Sequence, residues 1–249
     1  MRDDLGSVLP TAGAPSRVVS LVPSLTEAVA VTAPGLLVGA TDYCTHPAGL
    51  DVARVGGSKY PDVGAVLALR PDLVLANSEE NRREDVEALR AAGLAVWVTA
   101  PQTVEQAFDS LRRMLRVCHL DIPQWWRDGQ TQWTSTVNRP RVTAVVPVWR
   151  KPWIALGRNT FAGDVLAHLG VDNVLAGHDD RYPRLLIGEL NTLGPDLVVL
   201  PDEPYRFTAE DGPEAFPGVR AALVSGRHLT WYGPSMVEAY ELLAAQLYE

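Results

Sequence analysis

The sequence predicts an α/β protein of two lobes, each with a parallel sheet, joined by one long spine helix, with a ligand cleft between the lobes. In the first half of the chain, short apolar strands alternate with helical patterns, as in parallel sheets covered by helices. The segment L-A-L-R-P-D-L-V-L at 67–75 returns as L-N-T-L-G-P-D-L-V-V-L at 190–200. Pro195 follows Pro71 by 124 residues, about half the chain, which indicates a duplicated lobe.

The first lobe is expected at 17–120, after an N-terminal extension at 1–16. Ser24 and Glu27 have the spacing of a capping box, which predicts a helix start directly after the first strand. Strands are expected at 17–21, 36–40, 73–76 and 95–99, and the later helices at 62–69, 79–92 and 104–117.

The spine helix is expected at 121–139, where Asp121 can cap the helix and Pro123 fits its first turn. Its apolar stripe is Ile122, Trp126, Trp133 and Val137. The second lobe is expected at 140–249. Its strands are expected at 141–148, 197–200 and 228–231, and its helices within 157–170 and at 186–193, 218–225 and 234–248.

The composition is that of an ordinary soluble globular protein that can bury a core. The 249 residues are 47% hydrophobic and 21% charged. A formal net charge of −8 argues against nucleic acid and anionic membrane as partners. We expect a monomer with no membrane insertion. Because the first residues lack the apolar run of a secretory signal, a cytoplasmic location is expected, or a periplasmic or cell-surface one if a signal was removed.

The residues expected to meet a ligand follow the carboxyl ends of the strands, where open parallel sheets bind their ligands. Aromatic and histidine side chains are concentrated there, as in T-D-Y-C-T-H-P at 41–47 and V-W-R-K-P-W at 148–153. Such loops suit a large, flat, partly apolar ligand. Cys44 and His46 are candidate metal ligands, although two ligands do not complete a zinc site. The nucleotide-binding, nucleophile-elbow and H-E-x-x-H motifs are absent from the sequence.

These residues resemble a known family. The segments at 17–27, 45–47, 55–62 and 152–161, with the repeated Pro-Asp segment, resemble the class III periplasmic-binding-protein fold, the helical backbone metal receptor or TroA-like family. The branch that they resemble most is the cobalamin-binding proteins of ABC vitamin importers. The resemblance covers residues 17–248 and implies two Rossmann-like lobes, a rigid spine helix, an inter-lobe cleft and no catalysis. Such relatives bind cobalamin, haem, ferric siderophores or metal ions.

The chain departs from the importer pattern in two respects. Members that feed importers are exported and dock onto the arginines of an ABC permease with one glutamate on each lobe. Those glutamates would fall at Gly64 and Gly188, with Asp62 and Glu189 close by. Both departures count against docking to a permease, so we expect a substrate-binding-protein-like relative that is cytoplasmic and holds its ligand.

The resemblance also assigns ligand contacts by position. Aromatics of the cobalamin branch fall at or near Tyr60, Trp153, Tyr182 and Trp231, and Asn77 stands where that branch has another aromatic. With the loop residues, the expected ligand-binding set is Pro23, Ser24, Tyr43, Cys44, His46, Lys59, Tyr60, Asn77, Trp153, Arg158, Tyr182 and Trp231. His46, or less favourably Cys44, is expected to approach the metal of the ligand.

Two function classes follow from the sequence. The first is a non-enzymatic protein that binds cobalamin or another corrinoid, with haem, a ferric siderophore or a metal ion as alternative ligands. The second is a metal-dependent hydrolase that uses Cys44, His46 and His178. No acid–base pair at recognisable spacing supports the enzyme.

Overall fold

The computed structural model describes residues 1–9, 13–134 and 141–248. It divides into two compact units, which confirms the two-lobe α/β class. Unit 1 comprises Met1–Pro101, Gln106–Arg127 and Tyr232–Pro234. Unit 2 comprises Gln102–Glu105, Asp128–Trp231 and Ser235–Glu249. The lobe boundaries expected from the sequence and the cleft between the lobes stay predictions.

Unit 1 is built on a five-stranded parallel sheet with the strand order β3-β2-β1-β4-β5. Its strands are β1 (Val18–Ser20), β2 (Leu37–Ala40), β3 (Ala53–Arg54), β4 (Leu73–Asn77) and β5 (Val96–Thr99). Its helices are α1 (Pro23–Thr32), α2 (Val63–Ala68), α3 (Arg83–Ala91) and most of α4 (Val104–Val117). Valine, leucine and alanine from the strands form its core with apolar residues of α2 and α3.

The first residues of the chain are part of unit 1. The Asp3 carboxylate is fully buried and pairs with Arg90 at 2.8 Å. Asp4 pairs with Arg113 at 2.6 Å, and its other oxygen accepts hydrogen bonds from Ala100 N and Ser110 Oγ at 2.8 and 2.7 Å. This segment therefore packs on unit 1, although the sequence predicted an extension outside the lobe.

Unit 2 is built on a four-stranded parallel sheet with the order β11-β10-β6-β9. These strands are β6 (Val142–Val145), β9 (Val171–Asn173), β10 (Leu197–Pro201) and β11 (Arg220–Val224). A short antiparallel pair, β7 (Pro147–Trp149) and β8 (Ile154–Ala155), follows β6, so the strand expected at 141–148 is broken at Val146. The helices are α6 (Phe161–His168), α7 (Ile187–Thr192), α8 (Gly226–Thr230) and α9 (Met236–Tyr248).

The repeated Pro-Asp segment makes the same structure in both units. Helix α2 and strand β4 lie 124 residues before α7 and β10. Arg70 and Gly194, which precede the two prolines, have positive φ angles of 47° and 60°. In unit 1, Asp72 Oδ2 accepts hydrogen bonds from Ser16 N and Oγ, both at 2.7 Å. In unit 2, Asp196 Oδ2 accepts from Thr143 N and Oγ at 2.8 and 2.7 Å.

The spine helix is shorter than the sequence predicts. Helix α5 is Gln124–Thr134, and residues 121–123 precede it without helical structure. Residues 135–139, including Val137 of the expected stripe, lie outside the described residues. Of the other stripe residues, Ile122 precedes the helix, whereas Trp126 and Trp133 are buried, each within its own unit. In unit 1, Trp126 Nε1 donates to Phe108 O at 3.0 Å. In unit 2, Trp133 Nε1 donates to Met236 O at 2.8 Å.

Two elements of unit 2 have the opposite type to that expected. Residues 218–225, expected to be helical, contain strand β11, which pairs with β10 over five residues. The open edge of β10 supplies hydrogen-bond partners that outweigh the helical preference of R-A-A-L-V. Residues 228–231, expected to form a strand, lie mostly in α8. Helix α8 begins right after Ser225, and Trp231 is its C-cap.

Two helix starts in unit 1 also differ. Pro23 occupies the first position of α1, so Val22 is the N-cap and the expected capping box of Ser24 and Glu27 does not form. Helix α3 begins at Arg83 instead of residue 79, because a turn that Asn77 stabilises precedes it. Among the described residues, no helix has the length and apolar character needed to span a membrane.

Candidate functional site

Two exposed tyrosines stand on neighbouring loops of unit 1. Tyr43 follows β2 and Tyr60 follows β3, and each is 67% exposed. The Arg82 guanidinium lies 4.5 Å from the centre of the Tyr60 ring. Lys59 is also exposed beside Tyr60. Because β2 and β3 are adjacent parallel strands, both rings belong to the carboxyl edge of this sheet, where the sequence places them.

Cys44 lies under that edge and is fully buried. Its Sγ accepts a hydrogen bond from Thr26 Oγ1 at 3.0 Å and lies 3.1 Å from Thr41 Oγ1. Burial raises the pKa of the Cys44 thiol. The thiolate that a metal requires is therefore disfavoured here. Its place as a metal ligand stays a prediction, and this environment does not support it.

His46 is half-buried in the same loop. Its Nδ1 lies 3.1 Å from Thr45 Oγ1, and the bond to Pro47 is cis. Across the described parts of the chain, no group of three or more His, Cys, Asp or Glu side chains is arranged to hold a metal ion. A metal inside a macrocycle needs only one axial ligand, so the expected role of His46 stays a prediction.

Besides Cys44, three of the expected ligand residues in unit 1 are buried in the structure. Pro23 and Ser24 form the start of α1, and a Cβ added at Gly233 would lie 3.2 Å from Ser24 O. Asn77 is 5% exposed. Its Nδ2 donates to Tyr232 Oη at 2.7 Å and Thr99 Oγ1 at 3.3 Å.

The carbonyl oxygen of Asn77 is engaged as well. It accepts hydrogen bonds from the backbone nitrogens of Glu79 and Glu80 at 2.7 and 3.2 Å. With both ends of the amide bonded inside unit 1, Asn77 shapes the loop after β4 in this structure. Its contact with a ligand stays a prediction. Burial raises the pKa of its partner Tyr232, whose hydroxyl lies 2.7 Å from Thr99 Oγ1.

In unit 2, the exposed indole at the carboxyl edge is Trp149, at the end of β7. It is 41% exposed and makes an edge-to-face contact with Tyr205, with ring centres 5.7 Å apart. Tyr205 Oη donates to Asp211 Oδ2 at 2.6 Å, and this bond raises the pKa of Tyr205. Arg150 forms ion pairs with Asp211 and, at 2.6 Å, with Glu214.

Trp153 is half-buried and packs on the core of unit 2. Its ring is stacked on Phe207 with centres 6.0 Å apart and meets Phe216 edge-on at 5.5 Å. The Arg150 guanidinium lies 5.2 Å from the ring centre. Three neighbours therefore already contact the indole that the resemblance assigns to a ligand.

Trp231 follows α8 and is 7% exposed. Its indole N–H donates to the Glu203 carboxylate, and Arg227 lies 5.7 Å from its ring centre. Burial, with the nearby Asp202 carboxylate, raises the pKa of Glu203. Trp231 therefore contacts two charged side chains of its own unit, and its contact with a ligand stays a prediction.

His228 joins α8 to α9. Its Nδ1 lies 2.8 Å from Ser225 Oγ, and its Nε2 lies 2.9 Å from Glu238 Oε1. The hydrogen bond from His228 is the main reason that the pKa of Glu238 is lowered. Because both ring nitrogens are engaged inside unit 2, this chain of contacts fixes the packing of the two helices.

The remaining expected residues of unit 2 lie on exposed loops. Tyr182 is 43% exposed, and Arg158 is also exposed. The Nδ1 atom of His178 accepts a hydrogen bond from Asp180 N at 3.0 Å. Sequence reasoning does not single out Arg82, Asp211 or Glu214. For the last two, the available signal is the density of aromatic and acidic residues directly after β10.

Comparisons with known proteins agree with this architecture. A protein of Photorhabdus laumondii named vitamin B12-binding protein is 25% identical over 248 residues, covering 94% of this chain and 88% of its own. The periplasmic heme-binding protein BhuT, solved with two hemes, superposes with a TM-score of 0.75 at 24% identity and covers 94% of this chain and 98% of its own.

A third protein, Helicobacter pylori CeuE with Ni(II) bound, superposes with a TM-score of 0.83 at 14% identity. The match covers all of this chain and 88% of CeuE. The resemblance to the class III periplasmic-binding-protein fold is confirmed. At these identities the structural likeness shows the fold alone. No protein-family model matches the chain.

Proposed function

We propose that the protein is a non-enzymatic binding protein for a corrinoid, with cobalamin as its ligand. The observation that carries this proposal is the match to a vitamin B12-binding protein over 94% of the chain. Exposed rings at the carboxyl edges of both sheets, Tyr43, Tyr60 and Trp149, support it. Aromatic rings suit a large, flat ligand because they offer stacking area at low entropic cost.

Haem is the second candidate ligand, and the likeness to BhuT supports it. A ferric siderophore or a metal ion is the third candidate ligand, and the likeness to CeuE with Ni(II) bound supports a metal ion. The alternative outside this class stays a metal-dependent hydrolase that uses Cys44, His46 and His178.

The test is a direct titration of the purified protein. Cyanocobalamin, haemin and Ni²⁺ are added separately, and binding is followed by calorimetry and by the visible absorption of the two macrocycles. We expect saturable binding of cyanocobalamin at lower concentration than of haemin or Ni²⁺. Tight binding of haemin or Ni²⁺ with none of cyanocobalamin would overturn the proposal.

His46 is proposed as the residue that approaches the metal of the ligand. Neutral imidazole is a common metal ligand in proteins. His46→Ala should shift the visible spectrum of the bound macrocycle, whereas the exposed control His119→Gln should not. If the His46→Ala spectrum and affinity match the wild type at neutral pH, the assignment is wrong.

We also propose a cytoplasmic protein that holds its ligand and does not dock to a permease. Gly64 and Gly188 occupy the expected docking positions in the first turns of α2 and α7. The neighbouring carboxylates bind backbone, because Asp62 accepts from Ala65 N at 2.9 Å and Glu189 from Leu186 N at 2.7 Å. Fractionation of the source cells tests the location, and recovery outside the cytoplasm would contradict it.

A further inference from the structure

The side chains around Trp149 in unit 2 form a supported aromatic surface. Trp149 is the last residue of β7, which continues from β6, and Tyr205 follows the adjacent parallel strand β10. Both residues therefore leave the same edge of the sheet, the edge at which open parallel sheets bind ligands. The edge-to-face contact of the two rings at 5.7 Å leaves 41% of Trp149 exposed.

This surface is fixed from below by hydrogen bonds and ion pairs. Tyr205 is tied to Asp211 at 2.6 Å, and Asp211 also holds Arg150, the residue after Trp149. Glu214 holds Arg150 from a second side at 2.6 Å. The Arg150 side chain is 17% exposed, so these contacts are partly shielded from water. An exposed indole with a fixed backbone and a fixed neighbour loses little freedom when it stacks on a ligand.

Trp153 does not offer a comparable surface. Phe207, Phe216 and Arg150 all lie within 6.0 Å of its ring centre. Of the two indoles in this hairpin, Trp149 has the larger exposed surface for contact with a ligand.

The charge beside Trp149 bears on which macrocycle can stack there. The carboxylates of Asp211 and Glu214 are 43% and 50% exposed, and the Arg150 guanidinium balances one of them. These three side chains together therefore carry one net negative charge. Carboxylates accept hydrogen bonds from amide N–H groups and repel other carboxylates.

From these contacts, and resting on the proposed function, we propose that Trp149 is the stacking residue of unit 2 and that Asp211 and Glu214 select an amide-bearing corrinoid over an anionic porphyrin. Tyr205 and Arg150 are positioning residues that act through Trp149. The ligand class is thus a macrocycle whose rim donates hydrogen bonds.

The experiment compares Trp149→Ala, Trp149→Phe and Glu214→Gln with the wild type, using cyanocobalamin and haemin as probes. Trp149→Ala should weaken cyanocobalamin binding about tenfold or more, and Trp149→Phe should restore most of it. Glu214→Gln should strengthen haemin binding severalfold and weaken cyanocobalamin binding severalfold, because the acceptor for the corrin amides loses its charge. The melting temperature of each variant is recorded to show that it is folded.

The outcomes separate this inference from the function on which it rests. If the wild type binds no corrinoid, both are overturned. If the wild type binds cyanocobalamin and Trp149→Ala binds it equally well, the stacking assignment fails and the proposed function stands. If Glu214→Gln leaves the preference between the two probes unchanged, the charge selection fails.

Discussion

Replacing Trp153 by alanine should destabilise unit 2. The half-buried indole contacts Phe207, Phe216 and Arg150 and packs on the apolar core of this unit. Truncating a fully buried Trp to Ala costs about 3–5 kcal/mol. Because part of this ring is exposed, we expect about 2–3 kcal/mol here, including the ring contacts, which contribute about 0.5–1.5 kcal/mol each.

Urea and thermal unfolding, followed by circular dichroism, measure this loss. A loss of this size should lower the melting temperature by about 5–10 °C for a chain of this length. Trp149→Ala is the matched control in the same hairpin, and because its indole is exposed the loss should stay below about 1 kcal/mol. If Trp153→Ala unfolds with the wild-type midpoint and loses ligand affinity instead, the indole serves the ligand and the packing argument is wrong.

Two further substitutions and one control test the backbone and one buried thiol. Gly194→Ala should destabilise unit 2 by about 1 kcal/mol, because the backbone φ of 60° is unfavourable for alanine. The loss would come from the backbone alone, since the added Cβ would meet no atom within 4 Å. Gly188→Ala in the nearby first turn of α7 also meets open space, at an ordinary φ, so urea unfolding should show no loss; equal losses would refute the φ argument. Burial raises the pKa of Cys118 from 9.0 to about 12, so its neutral thiol stabilises the fold fully below about pH 9 and this contribution is lost as the pH rises towards about 12. Cys118→Ala should therefore flatten the fall of unfolding free energy above about pH 9, and an unchanged slope would contradict the assignment.

The repeated Pro-Asp segment shows what the sequence could predict about the fold. The repeated segment predicted the places of α2, β4, α7 and β10, because proline and aspartate restrict the conformation of the residues next to them in the chain. The failures at 218–231 have a different origin. Strand β11 depends on a partner about two dozen residues away, and the helical preference of its own residues gives no sign of it.

For the candidate site, the sequence predicted the exposure of some residues and not the burial of others. The exposed Tyr43 and Tyr60 follow strand ends that the sequence had located. Cys44 and Asn77 were chosen for the same position, but both are buried by partners distant in the chain. One partner of Cys44 is Thr26, 18 residues away, and one partner of Asn77 is Tyr232, 155 residues away. Pairings across such separations are set by packing and leave no local pattern.

The hydrogen bonds of Asp72 and Asp196 align the strands at the end of each sheet opposite to the predicted ligand edge. Each aspartate stands just before a strand and ties it to the start of its parallel neighbour, so strand alignment is secured at the amino ends. Exposed residues of the loops that leave the carboxyl ends, such as Tyr43 and Tyr60, take no part in these aspartate hydrogen bonds. Exchanging these exposed residues should leave the strand alignment intact, so the ligand preference can change while each sheet keeps its register.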